Sequence, residues 1–200
     1  EFEDRSQASA GVGAAATLGA TAAATAPSVS VAASASAAEP VKLGLSTTFP
    51  NGAVIPKRYT GDGTDDSPAL SWTQVPAGTA SIAISCEDPD APRGTWWHWI
   101  LFNLDPKKTS LPEAVEKNAR LAGGALQGNN DFEKPGYNGP APPPGKVHRY
   151  FYRVYALDRQ LNIGAGAKKD AFKKRYAFVD WSRADVSFSG LSEDSLALIR

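Results

Sequence analysis

Cysteine is almost missing from this chain of 200 residues: Cys86 stands alone, so no disulfide can form within it. A reducing compartment fits that lack, but exported proteins without disulfides fit it too. Cys86 shares strand parity with Ala80, Ile82 and Ile84 and reads as a small core residue rather than a reactive thiol. Net charge is also missing, because 21 basic side chains cancel 21 acidic ones. No global field is available to draw in nucleic acid or a membrane surface, so any anion recognition must be local. Polar Ser and Thr interrupt every apolar window, which excludes a membrane span. The chain has no Gly-x-Ser-x-Gly elbow, no phosphate-cradling Gly-x-x-x-x-Gly-Lys-Ser/Thr run and no dinucleotide fingerprint. Histidine is scarce as well: there are only two, without the close spacing of a zinc motif.

Two segments of different composition follow. Residues 1–40 are dominated by Ala, Ser, Thr and Gly, with no charge from Ser6 to Ala38 and no periodicity. Such a tail buries too little apolar surface to offset its ordering entropy, and disorder is expected. The small residues at 33–38 resemble the cleavage region of an export signal, although the basic start and Leu-rich centre are absent. Export remnant, cloning scar and plain low-complexity tail stand level, as do cytoplasmic and exported locations. Residues 41–200 form the globular domain, with an ordinary 42% hydrophobic content for the chain as a whole.

Alternation predicts strands over 41–46, 69–72, 79–86, 96–104, 147–157 and 184–189. A helical turn is expected at 111–115, and apolar residues at helical spacing predict an amphipathic helix over 168–180. Its basic cluster, Lys168-Lys169 and Lys173-Lys174-Arg175, reads as a solvated face. Residues 123–145 form a long loop rich in Gly, Pro and Asn, whose prolines favour a stiff path along a surface. The sum is an all-β fold: a sandwich of two antiparallel sheets with a peripheral late helix.

The chain is organised around Glu87-Asp88-Pro89-Asp90-Ala91-Pro92 and the aromatic strand that follows. Each proline fixes its own φ and extends the residue before it, so Asp88 and Ala91 lie in a stiff turn. Three of the five tryptophans, Trp96, Trp97 and Trp99, surround His98. Parity puts Trp96, His98, Ile100 and Phe102 on one face, and Asp88 or Asp90 is the nearest candidate partner for the imidazole. Asp88 ends the row of Ile82, Ile84 and Cys86; His148 and Tyr150 begin the row of Tyr152, Val154 and Ala156. If these rows face one core, Asp88, His98, His148 and Tyr150 meet at its rim, in a small pocket of polar groups above apolar walls. Two imidazoles and a phenol can donate to a phosphate, while a carboxylate fixes a histidine tautomer. The residues alone leave open whether the histidines are instead satisfied core groups.

Several stretches are similar to the phosphatidylethanolamine-binding protein family, in its bacterial and archaeal Raf kinase inhibitor-like branch. They are Asp88-Pro89-Asp90-Ala91-Pro92, the Trp-His-Trp strand, Gly128-Asn129-Asn130-Asp131-Phe132, Gly136-Tyr137-Asn138-Gly139-Pro140 and His148-Arg149-Tyr150. The resemblance runs in register from about Phe49 to the end. It implies a β-sandwich whose pocket binds phosphate-like anions and phosphorylated head groups, with no catalytic residue, metal or cofactor. Carried over residue by residue, the ligand-binding set is Asp88, His98, His148 and Tyr150, with Trp96 as pocket wall and Ala141, Pro142 and Pro143 as the Gly/Pro wall. Ala141 departs from the Gly-Pro-Cys-Pro-Pro of bacterial relatives, so a thiol is lost there, and Pro144 is an addition. The expected activity is that of a non-enzymatic lipid-head-group or anion-binding protein that modulates a kinase or protease partner, with a second copy of the chain as a further candidate partner. Two other readings stay open: a hydrolase or metal-assisted enzyme using the same Asp/His/His pocket, and a protein-interaction scaffold with a vestigial pocket.

Overall fold

The computed structural model describes residues 43–143, 146–176 and 181–190, the last by backbone alone. The expected tail at 1–40, the end of the helix at 177–180 and Pro144 lie outside them.

Among the described residues, eight strands form two antiparallel sheets. Strands β1 (Leu45–Thr47), β2 (Leu70–Trp72) and β5 (Ser110–Leu111) make the small one, in the order β1-β2-β5. The large one has the order β6-β4-β3-β7-β8, from β3 (Ser81–Asp88), β4 (Trp96–Leu104), β6 (Leu126–Gln127), β7 (His148–Leu157) and β8 (Trp181–Gly190). One helix, α1 (Lys169–Tyr176), follows β7. The central strand begins and ends where its alternation does. β1 starts later than the pattern suggests, although Leu43 ahead of it is buried. The expected helical turn at 111–115 is absent: Leu111 pairs with Leu70, and Ala114 takes a left-handed φ of 54° as its N–H donates to the Ser67 carbonyl. The carbonyl and hydroxyl of Ser67, which also accepts from Val115 N–H, satisfy this backbone without a helix.

The large sheet is apolar on both faces because it is covered on both. One core cluster joins Leu70, Trp72 and Leu111 of the small sheet to Ile82, Ile84, Cys86, Trp99, Leu101, Tyr152 and Val154. On the opposite face Ala83, Trp97, Ile100, Phe102, Tyr155 and Leu157 pack with Phe172 of α1.

That division corrects the simple parity of β4. Cys86 pairs with Trp99 and Glu87 with Trp97, so His98 has no partner on β3 and forms a bulge. A second irregularity lies near Asn103, which has a φ of 59°. Trp96 stays on the face of Asp88, but beyond the bulge Ile100 and Phe102 turn to the helix side, and Trp99 and Leu101 turn inward.

Candidate functional site

Three neighbouring strands of the large sheet bring the site together. Asp88 ends β3, His98 is the bulged residue of β4, and His148 and Tyr150 open β7; all four are buried. The rows of β3 and β7 run side by side, with Cys86 opposite Tyr152 and Ile84 opposite Val154. Their polar ends therefore fall at the same edge of the core.

Asp88 serves His148, not His98. Its Oδ2 lies 2.7 Å from His148 Nδ1, and its Oδ1 accepts the Asp90 N–H at 2.8 Å, closing the turn. The next carboxylate, Asp90, faces outward and binds Arg149: it accepts from the backbone N–H, from Nε and from Nη2 at 2.8–2.9 Å. Those contacts hold the Asp90 carboxyl down at about 2. Asp90 is thus a clasp between the proline turn and the start of β7.

His98 takes its partner from the long loop: Nδ1 lies 2.6 Å from the Asn138 carbonyl. A carbonyl can only accept, so this nitrogen carries the hydrogen. Burial lowers the pKa of the imidazole, against the opposing pull of the Asn138 carbonyl and of Asp88, Asp131 and Asp65. Tyr150 packs edge-on against the ring, with centroids 5.2 Å apart. Burial, followed by the charge of Asp88, pushes the Tyr150 phenol far above its usual range. Phe132 covers another side of His98 at 5.4 Å and meets Trp96 at the same separation. Phe132 remains 40% exposed and Trp96 is half-buried, so the two form an aromatic rim.

The loop is fastened along the edge of β4. Gly128 N–H donates to Ile100 O, Asp131 N–H to Trp97 O and Asn138 N–H to His98 O. Buried Asn130 gathers the same turns: its Nδ2 donates to the carbonyls of His98 and Gly136 and to Asn138 Oδ1, and its Oδ1 accepts from Phe132 N–H. Asp65 holds the far side, accepting from Gly139 N–H and Asn138 Nδ2 and pairing with Lys117. Asp131 Oδ2 binds Trp97 N–H at 2.8 Å and Lys169 Nζ at 2.7 Å, tying the loop to α1.

Each predicted site residue can now be placed. Asp88, His98, His148 and Tyr150 converge, with Trp96 beside Phe132. Pro142 is buried, Ala141 and Pro143 are exposed, and Ala141 lies against Gly61, whose N–H donates to the Pro140 carbonyl. Sequence reasoning missed Asp65, which gave no signal beyond following a turn, and it gave no role to Asn130, Asp131 or Phe132. Cys86 is fully buried, and burial pushes its thiol up. Among the described residues, no three His, Cys, Asp or Glu side chains are grouped to hold a metal, and no helix is long and apolar enough to cross a membrane. Two open clefts of about 330 and 380 Å³ flank β1, away from the histidines, and are lined by no titratable side chain.

Fold and site together define a β-sandwich with a buried Asp–His pair and a second histidine at one end of its large sheet. Comparison with known proteins assigns the lineage. The family profile of the phosphatidylethanolamine-binding proteins matches residues 45–187, and the chain belongs to that family. A UPF0098 protein of Methanothermobacter thermautotrophicus is 52% identical over 116 residues, spanning 58% of this chain and 76% of that one. The UPF0098 protein YbhB of Escherichia coli is 40% identical over 131 residues, spanning 62% and 83%. Among solved structures, Escherichia coli YbcL, a member of the mammalian PEBP family, superposes with a TM-score of 0.71 at 27% identity, covering 76% of this chain and 99% of its own.

Proposed function

We propose that the protein is a non-enzymatic binding protein for a small phosphate-like anion or a phosphorylated head group, held at the edge formed by Asp88, His98, His148 and Tyr150. Trp96 and Phe132 flank the mouth, and Ala141, Pro142 and Pro143 supply the Gly/Pro wall. The observation that carries this reading is His148 Nε2, a buried nitrogen without a hydrogen-bond partner among the described residues. Leaving such a group unsatisfied costs about 1–3 kcal/mol, and a bound anion would remove that cost. His98 supports it from the other side: its Nδ1 is committed to Asn138, leaving Nε2 for a ligand. The single thiol, Cys86, is buried and its deprotonation is disfavoured, so it lends no support to a thiol-nucleophile reading. Exposed Phe132 and Val147 add apolar surface next to site residues, where a kinase or protease partner could sense the bound state.

Isothermal titration with phosphoethanolamine and inorganic phosphate tests the reading, with His98→Ala and His148→Ala as controls. Saturable binding that both substitutions abolish is the expected result. Affinity unchanged in His148→Ala would show that the site is misassigned.

A further inference from the structure

The hydrogen-bond arrangement that fixes the two histidines also determines what they can offer. Asn138 O accepts from His98 Nδ1 at 2.6 Å, and the Asp88 carboxylate accepts from His148 Nδ1 at 2.7 Å. An imidazole with one nitrogen already protonated carries a lone pair on the other unless the whole ring becomes cationic. Both rings in their neutral form therefore turn an acceptor, Nε2, toward any ligand. An anion that carries no proton would meet two lone pairs. Among the described residues His148 Nε2 has no protein partner to relieve this, and the atom is fully buried.

The surroundings contain charges of both signs, and three of the cations, Arg149, Lys117 and Lys169, are held by carboxylates. His98 faces Asp88 from β3, Tyr150 from β7, Asp131 from the long loop and Asp65 from the turn after residue 60. His148 faces Asp88 and, from the proline turn, Asp90. Strand β8 places Gly190 and Phe188 opposite His148 and Tyr150, and neither residue can ionise. Arg149 is bound by Asp90, Lys117 by Asp65 and Lys169 by Asp131. Among the described residues, each of these three cations is already held by a carboxylate.

Resting on the anion-site reading, we propose that the pocket captures its anion together with a proton. The ligand class is a phosphoryl group in its singly protonated form, whose P–OH donates to one Nε2. For an anion without a proton, one is taken from solvent to make an imidazolium. In the first case only hydrogen bonds form; in the second an N–H bond forms at Nε2 as hydronium or a buffer acid gives up its proton. In both the proton ends between an Nε2 and a ligand oxygen. Phosphate monoesters lose their second proton near pH 6, so above that pH the dianion must regain one on binding.

The test is calorimetric titration of the full chain with inorganic phosphate and with sulfate, from pH 6 to pH 8.5, in buffers of different ionisation enthalpy. The buffer dependence of the heat counts protons taken up. About one proton per phosphate at pH 8, and an affinity falling about tenfold per pH unit there, is the expected result by linkage. Sulfate, which brings no proton, should bind more weakly than phosphate at pH 8 and show uptake of its own. In His98→Gln and His148→Gln, an amide N–H near the Nε2 position donates without protonation, so uptake in at least one variant should fall toward zero while phosphate still binds. Phosphate binding with no uptake and a flat affinity would overturn the proposal while leaving the anion site intact. Undiminished uptake in both variants would overturn it too. Absence of binding at every pH would remove the anion-site reading itself, and this inference with it.

Discussion

Asp90 and Arg149 meet at three points, a backbone N–H and two guanidinium nitrogens on one carboxylate, and so bind the proline turn to the strand that carries His148. The sign of the pH effect follows from the low Asp90 pKa. Its contribution to stability is complete above the unfolded value of about 3.9 and is lost as the pH falls through about 2. In Arg149→Ala, the Asp90 carboxyl should titrate nearer its ordinary range, which carboxyl carbon NMR would follow. A midpoint still at about 2 would show that the clasp is not its cause.

Asp88→Asn preserves volume but removes the obligate acceptor. The new amide can present its N–H₂ to His148 Nδ1 and force the other tautomer. With its hydrogen then on Nε2, the ring offers a donor to the anion without protonation, so proton uptake on phosphate binding at pH 8 should fall. Nitrogen NMR of the His148 ring, alongside calorimetry, would separate a tautomer change from misfolding; unchanged chemical shifts and uptake together would sink the idea.

Gly139 packs where a methyl group has no room. A Cβ there would lie 2.5 Å from the Tyr59 carbonyl oxygen and 2.7 Å from Thr60 Cα, both backbone atoms that cannot swing aside. Gly139→Ala should cost about 1–3 kcal/mol in urea unfolding. It should also loosen Asn138 under His98, visible as a shifted His98 titration. Wild-type stability would mean that the loop accommodates the group.

Asp131 is expected to matter more than its ion partner. Asp131→Ala leaves the Trp97 N–H without its acceptor and should cost about 1–3 kcal/mol. Lys169→Met removes only a partly exposed ion pair and should cost less than about 1 kcal/mol. Equal losses in thermal or denaturant unfolding would contradict this ranking.

For His98 the pKa is lowered on folding, so the unfolded chain binds more protons than the folded one as the pH falls below about 6.5. Its contribution should therefore disfavour folding progressively below that pH and vanish above it. Replacing it by Gln should flatten that part of the stability profile, which denaturant titrations across pH 5–8 would show. An unaltered profile would place the effect elsewhere.

The sheets and the convergence on β3 and β7 were legible because alternation there is unbroken: Ile82, Ile84, Cys86 and Asp88 face inward as the pattern says, and so do His148, Tyr150 and Tyr152. β4 defeated the same method. With both faces covered, every residue from Trp97 to Phe102 is apolar or buried, so the sequence carries no mark of which way each one points. The partner of His98 was hidden for a different reason. It is a backbone carbonyl forty residues away, and main-chain groups leave no trace in residue type. Asp65 was lost among turn residues, since an aspartate that caps its own turn and one that braces a distant loop look alike in a sequence.

The bulge at His98 has a consequence for how the protein can change. Without that residue, Trp96, Trp97, Trp99, Ile100, Leu101 and Phe102 would alternate without a break between the two layers. From Trp96 to Leu101 the ladder between β3 and β4 is thus regular without the histidine, which is spliced into it as a supernumerary. Architecture and recognition are for that reason separable in β4. The sheet places no demand on the side chain at this position, and the ring is free to be chosen by what it must hold.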